Sequence, residues 1–103
     1  MNVLYIDTRD NKETIVRLSV EEKVFEQKSA AVNKQAQTIL PIIEQILSKS
    51  GLTVSNLDEI NVETGPGSFT GLRVGIAIAN VLSFAGLVKV NGKDLEEIVL
   101  PEY

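Results

Sequence analysis

The chain has 103 residues, 44% of them hydrophobic and 23% charged, enough for one packed core and unlike a disordered tail. It contains no His and no Cys, which excludes a disulfide scaffold, a Cys-based zinc site, a thiol nucleophile and the commonest general base. A formal charge of −4, two Tyr, three Phe and no Trp, with Lys and Arg nowhere clustered, argue against strong direct nucleic-acid binding by this chain alone.

Taken in order, "NVLYID" (Asn2 to Asp7) reads as a strand buried on both faces. A polar turn, Thr8 to Glu13, leads to "TIVRLSV", where Thr14, Val16, Leu18 and Val20 share one side. Lys23 to Ser29 reads as a third strand, completing an antiparallel meander. The opening lacks a basic n-region and a long apolar core.

From Asn33 the period becomes helical: Ala36, Ile39, Leu40, Ile43, Ile46 and Leu47 fall on one side, and Gly51 ends the run. Pro41 lies inside it on the polar side, where the lost hydrogen bond and the clash with the preceding turn cost ~3 kcal/mol or more; a bend is expected there. Leu52 to Thr64 begins as a connection and becomes a strand in which Ile60, Val62 and Thr64 face one way. A second helix over Thr70 to Gly86 and a fifth strand over Leu87 to Val90 give the order βββαβαβ. Asn91 and Gly92 mark a turn, and the apolar patch Ile98 to Leu100 in the 91–103 tail has no assigned place. The most apolar segment, Val74 to Leu82, is too short to span a bilayer, so a cytoplasmic protein without membrane contact is expected.

The chemistry concentrates in "ETGPGSFTGLRVG", Glu63 to Gly75. A strand end, a tight Gly65-Pro66-Gly67 turn and a helix start capped by Ser68 or Thr70 are suited to an anion. The spacing is neither a Walker A loop nor a G-x-G-x-x-G fingerprint, and a purely structural turn is the competing reading. In the helix that follows, Gly71, Gly75, Ala79 and Ser83 recur every four residues, a small-residue stripe along which another backbone can approach. Leu72, Val74, Ile76, Ile78, Val81 and Leu82 fill most of the remaining circumference. A helix this apolar must be covered nearly all round, either within the chain or by a partner.

Four stretches, "LYIDT", "ILPIIEQIL", "GLTVSNLDEINV" and above all "GPGSFTGLRVGIAIA", resemble the N-terminal half of the bacterial TsaB family, also called YeaZ. The resemblance runs from about Val3 to Gly86. It implies a single ribonuclease-H-like or actin-like (ASKHA) α/β domain, a mixed sheet with two main helices. It also implies a non-catalytic subunit that binds and activates the transferase TsaD, acting with the ATPase TsaE to install threonylcarbamoyl on adenosine 37 of tRNA. On that reading the heterodimer is a bundle of the two helices with their counterparts, and the expected interface is Ile39, Ile42, Ile43, Ile46, Gly71, Leu72, Arg73, Gly75, Ile76 and Ala79. Gly65, Pro66, Gly67, Ser68 and Thr70 shape the loop and cap. No catalytic residue, metal or cofactor is expected on this chain; ATP and metal belong to partner subunits, and tRNA is met only through the complex.

The sequence departs from the family pattern in three ways. The first strand commonly runs into Asp-Thr-Ser, and here Arg9 follows Thr8. Gln35 and Ala36 stand where many members have His-Ser. Members commonly continue into a second domain of similar fold, and this sequence ends at "IVLPEY", a Pro-x-Tyr finish that leads us to expect a natural single-domain form. Two other functions stay open: an actin-like ATPase domain with Asp7 holding Mg²⁺ and the 65–71 loop on phosphate, and a homodimer that pairs its own apolar helices. Asp58, Glu59 and Glu63 are further candidate carboxylates.

Overall fold

The computed structural model describes residues 1–30, 35–93 and 99–101. Three strands open the chain: β1 (Asn2–Asp7), β2 (Glu13–Val20) and β3 (Lys23–Ala30). They pair antiparallel, with Leu4 opposite Leu18 and Leu18 opposite Phe25. The period of two in β2 buries Thr14, Val16 and Leu18 on one face. β4 (Glu59–Val62) lies parallel to β1, with Leu4 beside Ile60 and Ile6 beside Val62, so the sheet order is β3-β2-β1-β4. A parallel neighbour needs a long crossover; α1 (Gln35–Lys49) and a single 3-10 turn at Val54–Asn56 lie along it.

The helices cover one face of the sheet, α1 over β2 and β3 and α2 (Phe69–Gly86) over β1 and β4. Leu4, Ile6, Val16, Leu18, Ile60 and Val62 join Ile39, Ile43, Ile46, Leu72, Ile76 and Ala79 in one core. β1 is therefore not buried on both faces as its composition suggests. Leu4 and Ile6 are fully buried, whereas Val3 and Tyr5 on the other face are half-buried, because both helices sit on the Leu4 side. On the open face Arg17 stacks over the Tyr5 ring at 4.8 Å and its Nε donates to Glu26 Oε1 at 2.8 Å.

α1 turns its stripe slightly from the expected one: Ile42 is buried, and Ala36 and Leu40 are exposed. Its expected start at Asn33 lies outside the described residues. It runs through Pro41, which is exposed, and closes with Gly51 at φ +70°, where Gly51 N donates to Ser48 O (3.0 Å) and Leu52 N to Leu47 O (3.0 Å). This paired left-handed termination satisfies two end carbonyls and suits glycine.

The expected fifth strand is reduced to one parallel bridge between Ile60 and Val90. The cause is Asn91, whose side chain replaces the next ladder residue: Val62 N donates to Asn91 Oδ1 (2.8 Å) and Asn91 Nδ2 donates to Val62 O (3.0 Å). Positive φ at Asn91 and Gly92 then turns the chain away. Of the apolar tail patch, Ile98 lies outside the described residues, Val99 is buried in the core and Leu100 is exposed. Asn80 fixes Val99 by a reciprocal pair, Nδ2 donating to its carbonyl at 3.0 Å and Oδ1 accepting from its N-H at 3.2 Å.

Candidate functional site

β1 and β4 run parallel, so their C-terminal ends open side by side, the edge where α/β sheets commonly bind ligands. Asp7 ends β1 and Glu63 follows β4. Between them lies Arg9: its Nε and backbone N-H donate to Asp7 Oδ1 (3.1 and 3.0 Å), one terminal nitrogen donates to Asp7 Oδ2 (3.0 Å), and the other stands 3.5 Å from Glu63 Oε2. The Tyr5 hydroxyl shares its single proton between Asp7 Oδ2 (3.3 Å) and Glu63 Oε1 (3.1 Å). Burial alone would raise the Asp7 pKa, but the hydrogen bonds and charge of Arg9 outweigh it and hold the carboxyl below its usual range. The Tyr5 phenol is pushed up to about 12 by burial and by the adjacent Asp7 and Glu63 charges. Among the described residues no group of three or more acidic side chains is placed to hold a metal ion.

The glycine loop folds onto the same turn. Gly65 takes φ +124°, open mainly to glycine, and its peptide to Pro66 is cis. At Gly67 a Cβ would meet Arg9 Cβ at 2.9 Å, and the next N-H, that of Ser68, donates to Arg9 O at 2.8 Å. Ser68 is the N-cap of α2, its Oγ accepting from Gly71 N at 3.2 Å; Thr70 sits exposed in the first turn. One turn further, Thr8 Oγ1 donates to Gly71 O at 2.6 Å. Gln35 closes the far side, donating from Nε2 to Asp10 O (3.0 Å) and Glu13 O (3.3 Å). The loop thus packs against its own chain at Arg9, and the first turn of α2 against Thr8.

This geometry revises the role expected for the small-residue stripe. A Cβ on Gly71 would stand 2.1 Å from Thr8 O, and one on Gly75 2.2 Å from Thr8 Oγ1; the close neighbour is the end of β1, not a second helix. Ile39, Ile42, Ile43, Ile46, Leu72, Ile76 and Ala79 are likewise buried in the core, so of the expected contact residues only Arg73 is exposed. The surface that α2 turns outward is Phe69, Arg73, Ala77, Val81 and Phe84, with Phe84 84% exposed. Arg73 stacks over the Phe69 ring at 5.1 Å. Beside it, Ala36, Val74 and Ile78 complete a shallow groove of about 350 Å³ between the helices. The spacing of Phe69, Arg73, Ala77 and Val81 by four is the sequence signal for this face, and the glycine stripe beside it is the more conspicuous pattern.

The family model described as TsaD, tRNA N6-adenosine threonylcarbamoyltransferase, matches residues 20–92, more than half of the chain. The chain belongs to this family. Within it, the chain is a TsaB-like, or YeaZ-like, member. TsaB of Haemophilus influenzae, described as a tRNA threonylcarbamoyladenosine biosynthesis protein, is 37% identical over 82% of this chain. YeaZ from Pseudomonas aeruginosa superposes with a TM-score of 0.83 at 29% identity over 90% of the chain. A second Pseudomonas aeruginosa structure, of a protein with similarity to the peptidase YeaZ, gives 0.82 at 30% identity over 86%. The TsaB-like chain spans 35% of the Haemophilus protein and 41% to 43% of the two Pseudomonas chains. Its fold is that of the YeaZ structures, an α/β domain of actin-like type.

One property of α2 bears on location. With 18 residues and a mean hydropathy of 1.4 it is long and apolar enough to cross a membrane, contrary to the shorter apolar segment read from the sequence. About a third of it, 33%, is buried, its glycine side fitted to Thr8.

Proposed function

We propose that this chain is a non-catalytic subunit in the threonylcarbamoylation of adenosine 37 of tRNA, binding and activating a TsaD-like transferase through the outward face of α2 and the adjoining edge of α1. The observation that carries the reading is the exposed apolar surface of Phe69, Ala77, Val81 and Phe84 along α2, next to the Arg73 groove that Ala36 of α1 completes, on a member of this family. Exposed apolar surface of this kind marks an interaction site. A transferase of the same family offers a domain of related fold to pair with, which makes a bundle of two helices from each partner the natural geometry.

In this reading the partner supplies the catalytic groups, metal and ATP chemistry, and a TsaE-like ATPase acts on the assembled complex. The net charge of −4 leaves the basic tRNA surface to the partner. The work is done in the cytoplasm, where tRNA is.

The test is to mix the chain with its cognate TsaD-like protein on a sizing column with light scattering. A heterodimer that Phe84→Glu removes, with the circular dichroism of the variant unchanged, supports the proposal. Absence of any complex overturns it, and a self-dimer that excludes the partner transfers the same face to homodimer formation.

A further inference from the structure

Both carboxylates at the strand ends already face donors or a cation of this chain. Asp7 Oδ1 accepts from the Arg9 backbone and Nε, and Oδ2 from Arg9 and Tyr5. Glu63 Oε1 accepts from Tyr5, and Oε2 faces the second guanidinium nitrogen at 3.5 Å. A divalent cation needs oxygen ligands that are free to turn toward it, and the two Asp7 oxygens, each with two donors, are not. The glycine side of the loop and of α2 is occupied as well. Gly67, Gly71 and Gly75, which would have to leave room around the start of α2, are each within 3 Å of Thr8 or Arg9 once a Cβ is imagined on them. The residues present therefore do not fit the magnesium nucleotide that an actin-like domain implies.

We infer that Arg9 is the resident cation of this edge, a strut that takes the place of a bound metal and nucleotide and fixes α2 without any ligand. Its guanidinium ties the end of β1 to the segment after β4 through Asp7 and Glu63. Its carbonyl accepts from Ser68 N and so anchors the cap of α2. One residue thus joins three elements that a ligand would otherwise have to bridge, and the outward face of α2 is held in a single orientation. Arg suits the position because its planar fork meets both oxygens of Asp7 and still presents a nitrogen to Glu63. The strut depends on the contacts of Arg9 and is independent of any partner.

The experiment is a calorimetric titration of the folded chain with Mn²⁺ alone and with Mg-ATP, for the wild type, Arg9→Gln, Asp7→Asn and the double variant. The wild type is expected to show no saturable binding of either. Arg9→Gln removes one positive charge at contact distance from two carboxylates, so saturable Mn²⁺ binding should appear, roughly tenfold or more tighter than the detection limit that bounds the wild type, and Asp7→Asn in that background should abolish it. Saturable Mn²⁺ or Mg-ATP binding to the wild type that Asp7→Asn removes overturns the inference, as does a folded Arg9→Gln chain that still shows no saturable Mn²⁺ binding. An Arg9→Gln chain that fails to fold supports the strut, and the wild-type titration then decides alone whether the edge is closed.

Discussion

Gly75 rests directly on Thr8: a Cβ at position 75 would stand 2.2 Å from Thr8 Oγ1 and 3.2 Å from both Thr8 Cβ and Cγ2. The contact lets α2 lie close to the end of β1, and it means that a bulky residue at Gly75 probes the fold, not a partner. Gly75→Ala should destabilise the chain by ~1–3 kcal/mol through overpacking, against a helix-propensity gain of at most ~1 kcal/mol. Thr8→Ala removes Oγ1 and Cγ2 and leaves only Cβ at 3.2 Å, so the double variant should recover part of the loss. At Gly71 the obstacle is the Thr8 carbonyl at 2.1 Å, which no side-chain change removes. Urea unfolding of the single and double variants, arranged as two cycles, checks this; equal rescue at both glycines would refute the packing of α2 on Thr8.

The outward face of α2 and the core behind it should separate cleanly. Val81→Glu and Phe84→Glu lie on exposed positions and should shift unfolding free energy by no more than about 0.5 kcal/mol while abolishing the heterodimer. Ile43→Ala, at a site 1% exposed, should cost ~2–5 kcal/mol. Reversal of this pattern in denaturant melts and sizing would place the interface on the inner stripe after all.

Asp7 and Tyr5 predict opposite ends of the pH range. The Asp7 carboxyl is held below its usual value of 3.8 in the folded chain, so its stabilising share is present above that pH and is lost as pH falls toward the folded value. Acid melting of the wild type should therefore be steeper below about pH 4 than that of Asp7→Asn. Tyr5 is raised from 10.0 to about 12; its share is present below pH 10 and is lost as pH rises toward 12. Phenolate absorbance, taken as the difference between wild type and Tyr5→Phe, should place the Tyr5 midpoint near the upper value.

Asn91 stands in for a strand. Its amide both donates to and accepts from Val62, and a carboxylate there would keep the acceptor but turn a negative oxygen toward the Val62 carbonyl. Asn91→Asp should cost more than a single lost hydrogen bond, on the order of 1–3 kcal/mol. Hydrogen exchange at the Val62 amide should accelerate in the variant. Protection equal to the wild type would show that the bridge at Val90 holds the edge without it.

Much of the architecture is legible in the residues. The period of two in Thr14, Val16 and Leu18, the 3.6 repeat of Ile39, Ile43 and Ile46, and the punctuation by Gly51 and Ser68 each act over a few neighbouring positions, and local geometry decides them. The site is legible only as a set of parts. Asp7, Arg9 and Glu63 are visible as charged residues near strand ends, but whether they face one another depends on β4 pairing parallel to β1, and no local pattern carries that. The fifth strand fails for the same kind of reason: the β-type residues Val88 and Val90 are present, and the ladder stops because an Asn side chain reaches it first.

The sequence by itself determined the class of the domain, the order of its elements from β1 to α2 but not the end of the sheet at Val90, and the absence of thiol and imidazole chemistry, because composition and short-range periodicity bear on these directly. The tertiary structure decided which side of α2 is inside. Glycine spacing announces a close backbone approach but does not say whose backbone approaches; here it is Thr8 of the same chain, which turns Phe69, Val81 and Phe84 outward and leaves Arg9 to join the strand ends.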